Sequence, residues 1–211
     1  MKKIILLIPM LWFFSSATEA RSPVRVKMIA TVAIDADADA DEVWNVIKNY
    51  GDMSWHPAII NVEVDNENNT EGSVRVLTLK NGGSITQRLN KYDTNEMYFR
   101  YKVNGMSIKK IIEVVKHDNV EIPVLPVQGF IGRLSVNNEN GKAIVTWTTA
   151  YYPIFEGKYY NPIPKETNTE TANKAIIVYL KTGLTYLLKK FNPDGNESDI
   201  SIFCKYYCDG T

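Results

Sequence analysis

The sequence predicts an α+β domain in which one long C-terminal helix lies across the apolar face of an antiparallel sheet. Strand-like runs of β-branched and apolar residues follow one another from residue 59 to residue 151, separated by polar turns. Between residues 168 and 191, apolar residues recur every three or four positions, as in an amphipathic helix. A single antiparallel sheet must cover its apolar face, and a long helix laid across it is the simplest cover.

The domain begins with a strand and a short helix. The segment Val26 to Ile34 is β-branched and apolar, which is typical of a strand. The aspartates of segment 35–41 come just before a helix, where carboxylates accept hydrogen bonds from free backbone N–H groups. Alternating aspartates also suggest a calcium loop, but an EF-hand needs Gly and Glu where this chain has Ala40 and Val46. The sequence therefore favours helix capping.

A meander of four strands is predicted next. Polar, turn-forming links separate the runs Ile59 to Val64, Ser73 to Leu79, Ser84 to Tyr92 and Met97 to Val103. If Asn81-Gly82-Gly83 is a three-residue hairpin loop, Arg75 and Gln87 point to the same, apolar face as their strand neighbours. A two-residue loop would shift the pairing and turn one of these sets outward.

The second half of the domain is predicted from three further runs and a helix. Ile111 to Val115, Phe130 to Val136 and Lys142 to Tyr151 have the composition of strands, whereas Glu121 to Gln128 contains two prolines. A long irregular connection, Tyr152 to Pro164, leads to the helix. The apolar face of that helix consists of Ala172, Ile176, Leu180, Leu184, Leu187, Leu188 and Phe191.

The first twenty residues have the layout of a secretory leader. Lys2 and Lys3 precede an apolar run from Ile4 to Phe14, and small and polar residues follow as far as Ala20. Eleven apolar residues of helix span only about half of a hydrocarbon core, so a membrane anchor is disfavoured. We expect residues 1–20 to be a cleaved Sec-type signal peptide, followed by one domain at 24–191 and a flexible tail at 192–211, in a periplasmic or secreted protein.

Composition and cysteine placement exclude several classes of function. The chain has 24 basic and 24 acidic residues, so it offers no broad positive surface for nucleic acid. Cys204 and Cys208 lie too close in sequence to restrain much of the fold, and a local disulfide is favoured over free or intermolecular cysteines. No metal-ligand cluster, phosphate loop or catalytic nucleophile motif is present. The sequence predicts no metal site, no cofactor and no stable membrane span.

Several short segments, in their order along the chain, resemble the START-like or SRPBCC superfamily. These segments are Ala40 to Trp44, Trp55-His56-Pro57, Gly72 to Leu79, Gly82-Gly83, Gln87-Arg88-Leu89, Tyr101, Leu125-Pro126-Val127 and Val145-Thr146-Trp147. The resemblance covers roughly residues 28 to 190 and is greatest to the polyketide cyclase/dehydrase branch that includes MxaD-like periplasmic proteins. It implies a helix-grip fold, with the sheet wrapped around the long helix and a hydrophobic cavity between them.

The resemblance implies the binding or transport of lipids and other apolar or amphipathic small molecules. Aromatase or cyclase enzymes are a minority of the superfamily. MxaD-like proteins are associated with methanol oxidation in the periplasm, where they help methanol dehydrogenase and its cytochrome c partner. Two departures bear on these roles. Gln87 stands where relatives tend to carry Glu, and the segment 152–171 and the cysteine tail both exceed the usual pattern. The fold is common to all these functions, so the site must distinguish among them.

The predicted cavity residues come from both halves of the domain. They are Trp55, His56, Arg75, Leu77, Gln87, Phe99, Tyr101, Trp147, Tyr151, Leu180 and Leu184. Two interpretations of Arg75 remain open. It could bind an oxygen-rich ligand head that Gln87 orients, or it could lie at the rim with its head in water.

His56 also has two interpretations. At the mouth of a cavity, its imidazole could transfer a proton during a cyclisation or dehydration. Alternatively, it packs and bonds a backbone carbonyl, which the sequence favours because no carboxylate partner is identifiable. Binding is therefore the preferred function over catalysis, with an accessory role to a periplasmic dehydrogenase and cytochrome c as a further alternative.

Overall fold

The computed structural model describes residues 25–34, 39–65, 67–113, 119–154 and 168–205. The first half of the fold contains β1 (Val26–Ile34), α1 (Ala40–Ile47), β2 (Ile59–Val64), β3 (Val74–Leu79), β4 (Ser84–Asp93) and β5 (Tyr98–Met106). The second half contains β6 (Ile108–Ile112), β7 (Val120–Pro123), β8 (Val127–Glu139), β9 (Lys142–Pro153), α2 (Thr169–Phe191) and β10 (Ser201–Lys205).

Eight strands form one antiparallel sheet in the order β10-β1-β9-β8-β5-β4-β3-β2. Helix α2 packs against β1 and β9, and α1 packs against β8 and β9. The buried apolar residues of the sheet and of both helices make one continuous core. The predicted helix-grip arrangement, a curved antiparallel sheet around a long C-terminal helix, is therefore confirmed.

Helix α1 begins with the capping that its aspartates predicted. The Asp39 carboxylate accepts a hydrogen bond from the Glu42 N–H at 2.8 Å, and the Glu42 carboxylate accepts one from the Asp39 N–H at 3.3 Å. Reciprocal bonds of this kind satisfy two backbone donors that the first helical turn leaves free. Asp41 lies in the first turn of the helix, and the other two aspartates of the alternating run, at 35 and 37, lie outside the described residues.

In the β3–β4 hairpin, the side chains lie on the faces of the sheet that the sequence predicted. Arg75 lies opposite Gln87, so both side chains are on the inner face of the sheet. The Leu79 N–H donates to the Gly83 carbonyl at 3.0 Å, which closes a three-residue loop one position earlier than expected. A shift of both loop ends by one residue preserves the alternation, because the side-chain period of a strand is two.

The region between β5 and β8 differs from the prediction. The strand expected at Ile111 to Val115 lies at Ile108–Ile112, and it pairs with Val120–Pro123 as a separate two-stranded ribbon. Prolines in Glu121 to Gln128 argued against a strand there. Proline is tolerated because Pro123 ends the strand, at the edge of a ribbon where its missing N–H breaks no ladder.

The C-terminal tail differs from the prediction more than the region between β5 and β8 does. Residues 192–211 were expected to be flexible, but the structure has a 3-10 helix at Glu197–Asp199 and the strand β10, which pairs with β1. Ile200 between them is buried. The strand β1 would otherwise be the edge of the sheet, and β10 satisfies its exposed backbone groups. The folded unit thus extends to residue 205. Cys208 and the leader 1–20 lie outside the described residues, so the disulfide and the signal peptide stay predictions.

Candidate functional site

The structure brings all the predicted cavity residues into one buried region between the sheet and α2. Each of the eleven exposes 2 % of its surface or less. Trp55 and His56 come from the turn after α1. Of the other nine, five come from the inner faces of the meander strands, two come from β9 and two come from α2. Their direct contact with a ligand stays a prediction, because their own side chains fill much of this space.

Arg75 is the only described lysine or arginine in the buried core, with 1 % of its surface exposed. Its Nε and Nη2 atoms donate to Gln87 Oε1 at 2.9 and 2.7 Å, and Nη1 donates to the Tyr50 carbonyl. The interpretation that places the arginine head in water is therefore wrong. Burial lowers the pKa of Arg75, because the charged form loses its hydration.

Aromatic rings surround the Arg75 charge. The guanidinium carbon lies 4.0 Å from the ring centre of Tyr50, 5.6 Å from Tyr101 and 5.9 Å from Phe99. Among the described residues, no carboxylate forms an ion pair with Arg75. The charge is thus held by neutral acceptors and ring faces, which attract a cation through their negative quadrupole. This explains why a neutral glutamine, and not a carboxylate, is sufficient to hold the buried arginine.

His56 uses both ring nitrogens within the fold. Nδ1 accepts a hydrogen bond from the Ala58 N–H at 3.3 Å, so Nε2 carries the proton and donates to the Tyr179 carbonyl at 3.0 Å. The ring also stacks on Tyr179 at 4.6 Å. Burial lowers the pKa of His56 from 6.5 to about 4, so the ring is neutral near pH 7. The expectation of a packing histidine that bonds a backbone carbonyl is confirmed.

The rest of the core is rich in buried hydroxyl and indole donors. Trp147 Nε1 donates to Tyr101 Oη at 2.9 Å, and Tyr151 Oη donates to Asn173 Oδ1 at 2.8 Å. Burial raises the pKa of Tyr101 to about 12. Several described buried polar atoms have no hydrogen-bond partner, namely Trp44 Nε1, Tyr50 Oη, Trp55 Nε1, Tyr179 Oη and Thr185 Oγ1. Protonated phenols and indoles cannot serve as general bases near neutral pH.

Open space lies at one end of the grip, between α2, the β3–β4 hairpin and the segment after β7. The cavity has a volume of about 550 Å³. Its walls consist of Ala58, Leu79, Lys80, Asn81, Ile85, Lys109, Val124, Leu125, Lys174, Ala175, Val178, Tyr179 and Thr182. Volumes of this size are typical of small-molecule sites, which are mostly apolar with a few polar groups.

None of the eleven predicted residues is among the walls of this cavity. The strand alternation that placed Arg75 and Gln87 on the inner face also places Leu79 and Ile85 there, because each lies an even number of positions away along the same strand. Tyr179 was missed, although it lies three residues after Ile176 on the predicted helix face. Tyr179 connects the two regions: it is a wall residue of the cavity, and its carbonyl accepts a hydrogen bond from His56.

Comparison with protein families gives one match that covers most of the domain. Residues 27–191 match the family described as polyketide cyclase/dehydrase and lipid transport. The chain belongs to this family. The match spans β1 to the end of α2, so seven of the eight strands of the large sheet, the long helix and the cavity lie within the polyketide cyclase/dehydrase and lipid transport domain, whereas β10 lies beyond the match. A comparison with curated proteins found no match.

Solved structures agree with the family fold. XoxI from Bacillus cereus is 18 % identical, with a TM-score of 0.56 over 80 % of this chain and 99 % of its own. A Nitrosospira multiformis protein is 19 % identical, with a TM-score of 0.54 over 79 % of this chain and 96 % of its own. Ginseng major latex-like protein 151 from Panax ginseng is 14 % identical, with a TM-score of 0.55 over 80 % and 99 %. At these identities the likeness shows the shared START-like fold.

The family supports a small hydrophobic ligand as the class of partner. In the described part of the chain, no helix is long and apolar enough to cross a membrane, and no group of three potential metal ligands occurs. The narrower resemblance to MxaD-like proteins stays a prediction.

Proposed function

We propose that this domain binds an apolar or amphipathic small molecule in the cavity at the open end of the grip. The observation that carries the proposal is the cavity itself. Eight of its thirteen wall residues are apolar or aromatic, and the family to which the chain belongs includes lipid transport. An apolar ligand of suitable size would remove these walls from water, which is the main favourable contribution to such binding.

The chemistry of the site favours binding over catalysis. A general acid or base must reach the proton that it transfers, but both His56 nitrogens are bonded to backbone groups. Arg75 is bonded to Gln87 and to the Tyr50 carbonyl, and it is not a wall residue of the cavity. A cyclase or dehydratase would have to rearrange the core before either group could touch a substrate.

Native mass spectrometry of gently purified mature protein, followed by lipid extraction, tests the proposal. We expect a bound small molecule in the parent chain. Ala175→Trp would place a large side chain in the cavity from α2, so the variant should lose the ligand. Lys189→Trp, on an exposed part of the same helix, is the matched control. Equal retention of the ligand by all three proteins would contradict binding in this cavity.

Export to the periplasm or outside the cell is part of the proposal. Its support is the leader-like layout of residues 1–20. Expression of the full chain in a bacterial host, cell fractionation and N-terminal sequencing would test it. We expect a periplasmic protein that begins after Ala20 or Ala17, whereas an uncleaved protein in the cytoplasm would contradict export.

A second function, interaction with an acidic partner protein, is favoured by the outer face of the sheet. Lys27, Arg88, Arg100, Lys102 and Arg133 are all exposed on this face. The strand pairing places Arg88 opposite Lys102 and Arg100 opposite Arg133. Four basic residues, Lys27, Lys91, Arg100 and Arg133, also line an outer groove of about 700 Å³. A periplasmic dehydrogenase or cytochrome c with an acidic surface would complement such a face.

Pull-down from a periplasmic extract at low ionic strength tests this second function. An acidic redox protein should be recovered by the parent, and Arg100→Glu with Arg133→Glu should abolish its recovery. Charge reversal of Lys189 and Lys190, at the end of α2, is the control. Recovery of no dehydrogenase or cytochrome in repeated experiments would remove the support for this function.

A further inference from the structure

The mouth of the cavity is basic. Lys80 comes from the β3–β4 hairpin, Lys109 from β6 and Lys174 from α2, so the three lysines approach from three different elements. All three are exposed, whereas Ile85 and Tyr179 are buried wall residues. Lysine stems can line an apolar surface while their ammonium groups stay in water.

No acidic residue is among the cavity walls. Lys174 is paired with Glu170 on its own helix, at 2.5 Å. Neither Lys80 nor Lys109 forms an ion pair with any other described residue. The chain as a whole has equal numbers of basic and acidic residues. Two lysines at the mouth, Lys80 and Lys109, thus have no carboxylate partner among the described residues, which is a local departure from the balanced composition of the chain.

We infer that the ligand is an acidic amphiphile, whose apolar body fills the cavity and whose anionic headgroup lies between Lys80 and Lys109. This inference rests on the proposed function, since it names the class of ligand that the same cavity takes. Both a carboxylate and a phosphate ester have the required charge. A neutral lipid of the same length would fill the same walls but would leave the two ammonium groups without an acidic partner.

The headgroup lies at the mouth and not in the core. The buried cation, Arg75, is already bonded to Gln87 and to the Tyr50 carbonyl, and it is not a wall residue. Moving an anion into the packed aromatic core would remove its hydration, whereas at the mouth it stays partly hydrated. Ion pairs in such partly exposed positions strengthen binding by about two- to fivefold each.

Titration calorimetry with dodecanoate, dodecyl phosphate and dodecan-1-ol tests the inference, because the three probes share one chain and differ in the headgroup. We expect both anions to bind the parent about tenfold more tightly than the alcohol. Lys80→Glu with Lys109→Glu should abolish this preference, because it weakens binding of the two anions far more than binding of the alcohol. Lys27→Glu with Lys102→Glu, the same charge change on the outer face of the sheet, should keep the preference.

The possible results separate the two proposals. A preference for only one anion would identify the headgroup as a carboxylate or as a phosphate, and it supports the inference. Equal affinity for the alcohol and both anions, or equal effects of the two double variants, would overturn it and leave ligand binding in place. If none of the three probes binds the parent, both the inference and the proposed cavity function fail. Thermal melts of each variant establish that it is folded.

Discussion

Arg75 and Gln87 face each other across β3 and β4, and one oxygen, Gln87 Oε1, accepts hydrogen bonds from both Nε and Nη2 of the arginine. The glutamine is neutral, so the buried charge is not neutralised by its main partner. The aromatic rings of Tyr50, Phe99 and Tyr101 lie around the guanidinium and stabilise it instead. This pair therefore acts as a structural unit of the core.

Removal of Arg75 alone should destabilise the fold more than removal of the pair. Arg75→Met leaves Gln87 Oε1 and the Tyr50 carbonyl buried without a donor, and we expect a loss of about 2–5 kcal/mol in the free energy of unfolding. Arg75→Met with Gln87→Leu should recover part of that loss. Urea unfolding of the parent, both single variants and the double variant measures the coupling. If the losses of the two single variants simply add up in the double variant, Arg75 and Gln87 do not act as one structural unit.

His56 should make stability fall in mild acid. Its pKa is about 4 in the fold and near 6.5 in the unfolded chain, so between these pH values only the unfolded chain takes up the proton. The neutral ring makes its full contribution to the free energy of unfolding above pH 6.5. Below that pH, the free energy of unfolding falls by about 1.4 kcal/mol per pH unit as the pH decreases towards 4. Thermal and urea unfolding at several pH values between 7 and 4.5 measure this effect.

The control for this pH dependence is His56→Gln, which has no titratable side chain. The variant should be less stable at pH 7 because the bonds to Tyr179 and Ala58 are altered, but its stability should change less with pH than that of the parent. Parallel pH profiles for the two proteins would show that His56 does not take up a proton on unfolding in this range.

Gly183 should not tolerate alanine, although alanine is the better helix former. A Cβ at this position of α2 would lie 2.5 Å from His56 Cδ2 and 3.1 Å from Trp147 Cζ3. Overpacking of about 1–3 kcal/mol should exceed the gain of about 1 kcal/mol from helix propensity. We expect a lower melting temperature for Gly183→Ala, with Val178→Ala at an exposed position of α2 as control. A higher melting temperature for Gly183→Ala would contradict the close packing of α2 on His56.

The C-terminal strand should be part of the folded unit. A chain that ends at Asn196 lacks β10, which exposes the edge of β1, and it also lacks the buried side chain of Ile200. We expect a lower melting temperature and self-association, because open sheet edges pair with other chains. A chain that ends at Lys205 is the control. Calorimetry and size-exclusion chromatography compare the two, and identical behaviour would show that β10 contributes nothing to stability.

The sequence by itself determined the class of fold, the order of most elements and the inner face of the meander strands β3, β4 and β5. Alternation along β3 and β4 placed Arg75 and Gln87 on the inner face, because a strand's side chains change sides with every residue. The three- and four-residue spacing determined α2 in the same way. These are local patterns, so they are visible along the chain without knowledge of what packs against them.

Only the tertiary structure decided where the open space lies. The sequence pattern predicted that His56, Arg75 and Trp147 lie in the interior of the domain. It could not show that their side chains fill that interior, because packing depends on the shapes of side chains that meet between the sheet and the helix. The lysines at the mouth come from a hairpin, a strand and a helix that are far apart in sequence. The pairing of β10 with β1 was likewise hidden, since a short tail gains strand structure only from the edge that it covers.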